Sequence, residues 1–284
     1  MRPLLASSCG NCRFAFKCWA MSTATDPHPD ISSNLTLVLD KIQKTYELSD
    51  AAARHSCVPR LVAVSKTKPI ELIRDAYGAG QRHFGENYVQ ELVEKASDSG
   101  LKADCPDIRW VVIGNVQSNK VNKLLAAPNL DTIETVISVK LAEQLNNAWQ
   151  RLRADADKRL RVFVQVNTSG EDQKSGLAPA EAIECATYIT DQCLGLEFVG
   201  FMTIGALAHS LASGSLDADD DNPDFTRLVT TRQQYCDLAG IGDPKTVELS
   251  MGMSADFETA IRMGSSNVRV GSAIFGVRTP KSQS

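Results

Sequence analysis

From Ile31 onward the apolar residues follow two rhythms. Leu35, Val38, Leu39, Ile42 and Tyr46 recur at three- and four-residue steps, which predicts an amphipathic helix. Short apolar runs follow, among them "LVAV" from Leu61 and "RVFVQV" from Arg161, each with polar or glycine-rich sequence beyond it. Strands are predicted at 61–65, 82–86, 110–114, 131–134, 161–166, 197–203, 246–250 and 267–271. Helical patterns separate them near 70–78, 88–97, 119–126, 138–153, 179–192, 223–239 and 255–263. This alternation predicts parallel βαβ units with right-handed crossovers. Eight of them, with strands apolar on both faces, favour an α/β fold of one closed (β/α)8 TIM barrel over an open doubly wound sheet.

Bulk composition narrows the picture. A length of 284 residues suits one large barrel, and 43% apolar residues can fill its core. A net charge of −4 argues against nucleic acid or an anionic membrane as partner. No apolar run approaches the roughly 18–20 residues of a membrane span. Of eight cysteines, Cys9, Cys12 and Cys18 fall in the first twenty residues, and Cys57, Cys105, Cys185, Cys193 and Cys236 are scattered. That pattern suits free thiols in a reducing compartment, without disulfides or metal.

Residues 1–30 stand apart. They carry Arg2, Arg13 and Lys17 and no acidic residue before Asp26. We read them as a disordered leader or targeting segment ahead of a domain at 31–284, with Met21 as an alternative start. The expected location is cytoplasmic, with mitochondrial or plastid import through residues 1–30 as the alternative. The run Asp217, Asp219, Asp220, Asp221 lies in a long segment after the sixth strand and reads as a solvated loop.

In a barrel the residues just past each strand converge on one mouth, where function collects. Here they are Lys66, Asn87, Asn115 with Gln117, Glu134, Asn167, Met202 with Thr203, Ser250 with Ser254, and Arg269 with Gly271 and Ser272. Amides, hydroxyls and two cations make a site for an anion and a carbonyl. An amine at a partly apolar mouth loses basicity, and the unprotonated Lys66 could add to an aldehyde as a Schiff base. Lys68, beside Pro69, reads as a surface charge. Gly271 allows close backbone approach to an anion, and Ser272 opens a short helix, 272–275, whose N–H groups favour negative charge. Ser254 reads as the N-cap of the helix after strand seven, and the hydroxyls of Ser250 and Ser254 could also reach a phosphate. A lysine imine beside a phosphate cup describes pyridoxal 5′-phosphate, with Arg269 at its pyridine nitrogen.

"LVAVSKTKP", "FGENYVQELVEKA", "IGNVQSNKVNKLL", "VQVNTSGEDQKSGL", "VGFMTIG", "SMGMSADFETAI" and "NVRVGSAIFG" occur in order between Leu61 and Gly276. Together they closely resemble the pyridoxal phosphate homeostasis protein family. The resemblance implies one barrel like the N-terminal domain of alanine racemase, without that enzyme's second domain. It implies that Lys66 is the cofactor lysine, that Arg269, Gly271 and Ser272 form the strand-eight cofactor motif, and that Ser250 and Ser254 belong with it. Asn87 then lies near the ring, and Met202 and Thr203 at the end of strand six. Where members often show "WHFIGHLQ", this chain reads "WVVIGNVQ", so Val111 and Asn115 replace two histidines.

The implied function is binding of pyridoxal phosphate for its intracellular buffering or delivery, by a monomer, with cofactor-dependent apo-enzymes as recipients. A pyridoxal-phosphate-dependent racemase or decarboxylase is the alternative. A charged Arg269 disfavours protonation of the ring nitrogen and so weakens the electron sink an enzyme needs. A two-base racemase also needs a second acid–base group, and the short stretch after the eighth strand is not expected to supply one. A barrel aldolase usually carries its lysine on a later strand. The carrier is therefore the expectation. A chain beginning near Ile31 should unfold cooperatively and bind cofactor as the full chain does; loss of cooperative unfolding would make the leader part of the domain.

Overall fold

The computed structural model describes residues 30–152, 158–171, 175–206, 208–210 and 222–276. Most of the expected leader, including Cys9 and Cys12, and the acidic run Asp217–Asp221 lie outside them. Eight parallel strands close in sequence order into a barrel. They are β1 (Arg60–Val64), β2 (His83–Glu86), β3 (Arg109–Val112), β4 (Leu130–Val136), β5 (Leu160–Gln165), β6 (Leu196–Met202), β7 (Glu248–Ser250) and β8 (Asn267–Val270). The expected barrel is the observed one. Closure comes from β1 against β8, with Arg60 opposite Asn267 and Ala63 opposite Val270.

Around the sheet run α1 (Ile31–Leu48), α2 (Ile70–Gly78), α3 (Val89–Ser97), α4 (Ser99–Asp104), α5 (Val121–Leu125), α6 (Val139–Leu152), α7 (Pro179–Gln192), α8 (Pro223–Ala239), α9 (Phe257–Arg262) and α10 (Ser272–Phe275). Asp30 caps α1 by accepting from Ser33 N at 3.0 Å. Along α1, Ile31, Leu35, Val38 and Ile42 are buried, as their spacing predicts. That face packs on α9 and α10, so α1 lies over the β1–β8 closure. Of the departures from expectation, two have a plain local cause. α4 was not predicted, because its six residues include Gly100; Asp98 starts it by accepting from Leu101 N at 2.7 Å. β7 begins at Glu248 rather than at residue 246, because Pro244–Thr246 turns as a 3₁₀ segment.

The main core fills the space between sheet and helices. Inside the barrel lie two smaller apolar clusters: Val62, Val111 and Ile113 on one side, and Phe163, Val199 and Met202 on the other. Val111 is thus part of the barrel filling.

Ion pairs close the base. Arg60 forks onto Glu248 at 2.9 and 3.0 Å. Arg161 donates to the same carboxylate at 2.6 Å and lies 3.7 Å from Asp131, which also meets Lys158 at 3.3 Å. His83, at the start of β2, stands among these charges, and its Nε2 is buried without a hydrogen-bond partner. Burial, then the cations Arg60, Arg109 and Arg161, push the imidazole down to about 4, against the pull of Asp131.

The unfolded imidazole titrates near 6.5. As pH falls from there towards 4 the unfolded chain takes up a proton that the folded chain refuses, so folding loses stability across that window. Replacement His83→Phe should flatten the fall of the unfolding midpoint between those pH values. The gain should be no more than about 2 kcal/mol, allowing for solvent screening of a partly exposed ring. Urea titrations at several pH values measure it, and an unchanged acid limb would refute it.

Candidate cofactor site

β1 ends in a β-turn, with Lys68 N donating to Ser65 O at 3.0 Å and Lys66 and Thr67 at its centre. Lys66 is half-buried, and its Nζ donates to Asn87 Oδ1 at 3.2 Å. Asn87 follows β2, against Gly114 at the end of β3. A Cβ on Gly114 would lie 2.1 Å from the Asn87 carbonyl oxygen, so only glycine allows this approach of the two strand tips.

The second cation is held inside the barrel. Arg269 is buried, with Nη1 donating to Ser250 Oγ and Nη2 to Thr203 O, both at 2.6 Å. Its counterion is Glu134 on β4, 3.8 Å from Nη1. Ser250 Oγ donates to Glu134 Oε2 at 2.7 Å, and Asn267 Nδ2 donates to Oε1 at 2.6 Å. The Asn267 amide also lies 3.0 Å from Ser250 Oγ. Burial pushes the Arg269 guanidinium below its ordinary range while Glu134 opposes the shift. Burial likewise pushes the Glu134 carboxyl up, against Arg269 and its hydrogen bonds. This interlocked set fixes a guanidinium beneath the mouth.

The rim is built where β8 leaves the sheet. Gly271 N donates to Ser254 Oγ at 3.2 Å, and Ser272 opens α10 as expected. Four residues give α10 exposed N–H groups and only a small dipole. The glycine also has a packing role: a Cβ there would lie 3.2 Å from Val64 Cβ and 3.3 Å from Val64 O. Lys68 is no free surface charge. Its Nζ donates to Phe275 O at 2.8 Å and Gly276 O at 3.1 Å, tying the β1 turn to the end of α10. Ser254 is not the N-cap of α9, which begins only at Phe257 after Asp256. Asp256 instead turns back to accept from Met253 N at 2.6 Å, and Ser254 is turned towards Gly271.

The fold therefore brings Lys66 with Asn87, and Ser254 with Gly271 and Ser272, to one mouth across the β1–β8 closure. Ser250 stands deeper than the rim, with its hydroxyl committed to Glu134 and Arg269. Met202 lies under the mouth, packed with Phe163 and Val199. Asn115 is exposed beyond β3. Sequence reasoning placed Glu134 at a strand tip without its role as counterion, and missed Asn267 and Gly114. The one signal for Glu134 is a carboxylate inside the otherwise strand-like "LDTIETV", every residue of which is buried. Among the described residues no cluster of His, Cys, Asp or Glu could hold a metal ion.

The chain is similar to known proteins. The family described as alanine racemase, N-terminal domain, matches residues 34–279. The pyridoxal phosphate homeostasis protein of Mus musculus is 54% identical over 220 residues, covering 78% of this chain and 77% of its own. That of Caenorhabditis elegans is 46% identical over 253 residues, covering 89% and 98%. Among solved structures, PipY of Synechococcus elongatus with pyridoxal phosphate bound superposes with a TM-score of 0.64 at 30% identity, covering 84% of this chain and all of PipY.

Removing one partner of a buried ion pair leaves the other charge uncompensated. Glu134→Ala should therefore destabilise the protein by about 3–5 kcal/mol. The double change Glu134→Leu with Arg269→Met should cost less than Glu134→Ala alone. Urea unfolding measures these, with Glu134→Leu and Arg269→Met alone beside them, and a double variant as unstable as the sum of those two singles would show that the residues do not act as a pair.

Proposed function

This chain belongs to the pyridoxal phosphate homeostasis protein family, built on the alanine racemase N-terminal domain, and from that footing we propose that it binds pyridoxal 5′-phosphate to buffer or deliver it. The carrying observation is the pairing of a half-buried lysine amine with a donor-rich rim across one strand seam. PipY, a relative of like fold, is known with pyridoxal phosphate bound, which supports the reading.

The residues present fit the cofactor. It would supply an aldehyde for an amine to capture, a phosphate dianion and an electron-withdrawing ring. Lys66 Nζ is the proposed point of attachment, as a Schiff base, with Asn87 Oδ1 holding the amine in place. Ser254 Oγ and the backbone N–H groups of Gly271 and Ser272 are assigned to the phosphate, for which the Gly271 N–H would exchange its bond to Ser254 Oγ. Thr203 O and Ser250 Oγ hold Arg269, which is assigned to the pyridine nitrogen, and Met202 closes the floor. The Glu134 carboxylate keeps Arg269 charged in spite of burial. A charged guanidinium holds the ring nitrogen unprotonated, which favours holding the cofactor over using it.

In this reading the protein is a monomer acting in the cytoplasm, and its recipients are apo-enzymes that use the same cofactor. Free thiols at all five described cysteines are in keeping with a reducing compartment.

Purified protein loaded with pyridoxal phosphate and reduced with borohydride should carry the label on the Lys66 peptide. Lys66→Ala should lose it, and Lys68→Ala should keep it with faster cofactor loss, because that change frees the end of α10. A label on Lys68 in the wild type would overturn the assignment. Racemisation or decarboxylation of amino acids at about 1 per second or faster would replace the carrier by an enzyme.

A further inference from the structure

α3 carries a lysine where its sequence predicts none inside. Val89, Leu92, Lys95 and Ala96 form the buried face of that helix, and Lys95 is 6% exposed. A buried ammonium is tolerated only with its hydrogen bonds satisfied. Lys95 Nζ has three acceptors for its three protons: Ser65 O at 2.8 Å, Glu86 Oε1 at 2.7 Å and Glu91 Oε1 at 2.7 Å.

Those acceptors bracket Lys66. Ser65 precedes it, and the Ser65 hydroxyl also donates to Glu86 Oε1 at 2.7 Å. Thr67 follows it, and Thr67 N donates to Glu91 Oε1 at 2.6 Å. Ser65 O thus accepts from Lys68 N within the turn and from Lys95 outside it. The turn needs the restraint. Thr67 has φ of +62°, a left-handed conformation that costs a β-branched residue energy and that such turns usually give to glycine. The ammonium and its two carboxylates hold the residues on either side of Lys66 from the helix side of the wall. The Lys66 side chain reaches the other way, to Asn87.

We propose that Lys95 is a positioning residue for Lys66: it locks the strained 65–68 turn so that the Lys66 amine is presented to its aldehyde in one orientation. This rests on Lys66 being the attachment point. A glycine at residue 67 would relieve the strain and free the lysine to wander. Threonine held by Glu91 keeps it rigid, and a group fixed beforehand loses less freedom when it binds.

Two variants separate positioning from plain stability. Lys95→Met with Glu86→Gln removes the ammonium together with its fully buried carboxylate partner, and leaves the partly exposed Glu91 to accept from Thr67 N. Thr67→Gly removes the strain and leaves the side chains of Ser65, Lys66, Glu86, Glu91 and Lys95 in place. Each full-length variant would be mixed with pyridoxal 5′-phosphate, and capture followed by absorbance, visible circular dichroism of the bound cofactor and borohydride trapping, beside urea unfolding. Thr67→Gly should unfold at no lower urea concentration than wild type, yet capture the cofactor about tenfold more slowly, with a weakened dichroic band. The double variant should show the same loss of capture, beyond what its unfolding midpoint explains. Wild-type capture and dichroism in a folded double variant would overturn the proposal; should the double variant not fold, wild-type capture and dichroism in Thr67→Gly would overturn the premise that the rigidity of the 65–68 turn presents the lysine. A wild-type protein that is never labelled at Lys66 would instead overturn the attachment itself, so the two failures are distinguishable.

Discussion

The parallel pairing of β1 with β8 is the contact on which the rest of the site depends. Lys66 leaves one strand and Gly271 the other, and their termini meet only because Val62 lies opposite Arg269 and Ala63 opposite Val270. Gly271 keeps the seam tight against Val64, and Lys68 crosses it to the last carbonyls of α10, 207 residues away in sequence. α1 seals the outside, with Asn34 Nδ2 donating to Ile274 O at 3.1 Å. A change that opened this seam by one residue would turn β8 over and carry Arg269 out of the barrel.

The barrel interior is divided by chemistry. β1, β3, β5 and β6 contribute aliphatic and aromatic filling, whereas β4, β7 and β8 contribute Glu134, Ser250, Asn267 and Arg269. Such a buried polar set is stable only when its members satisfy one another, and this one spans three strands to do so. Two charged layers result, one at the base and one beneath the mouth.

Much of this was legible in the sequence because strand ends announce themselves. An apolar run that stops at Lys66, Asn87 or Gly271 marks a tip, and a parallel barrel gathers tips. Pairings across the barrel were not legible, since Glu134 and Asn267 stand 133 residues apart and no local pattern links them. Lys95 was hidden for a different reason. With Glu91 it forms an i,i+4 pair that usually marks a solvated helix face, and its place on the Val89–Leu92 stripe was the only contrary sign. Ser254 misled because a serine two residues before an aspartate looks like a helix cap, whereas its hydroxyl belongs to another strand's turn.

The closed base has a consequence for traffic. Arg60, Arg161, Glu248 and Asp131 bar one end of the barrel, and Phe163, Val199 and Met202 fill the middle, so the described residues leave no corridor from end to end. A ligand seated at the mouth must arrive and depart through a single doorway. An acceptor protein that stood over that doorway would block reloading while it took its passenger. Handover and refilling would then alternate, and the turnaround of each molecule would be set by how quickly its last visitor moved away.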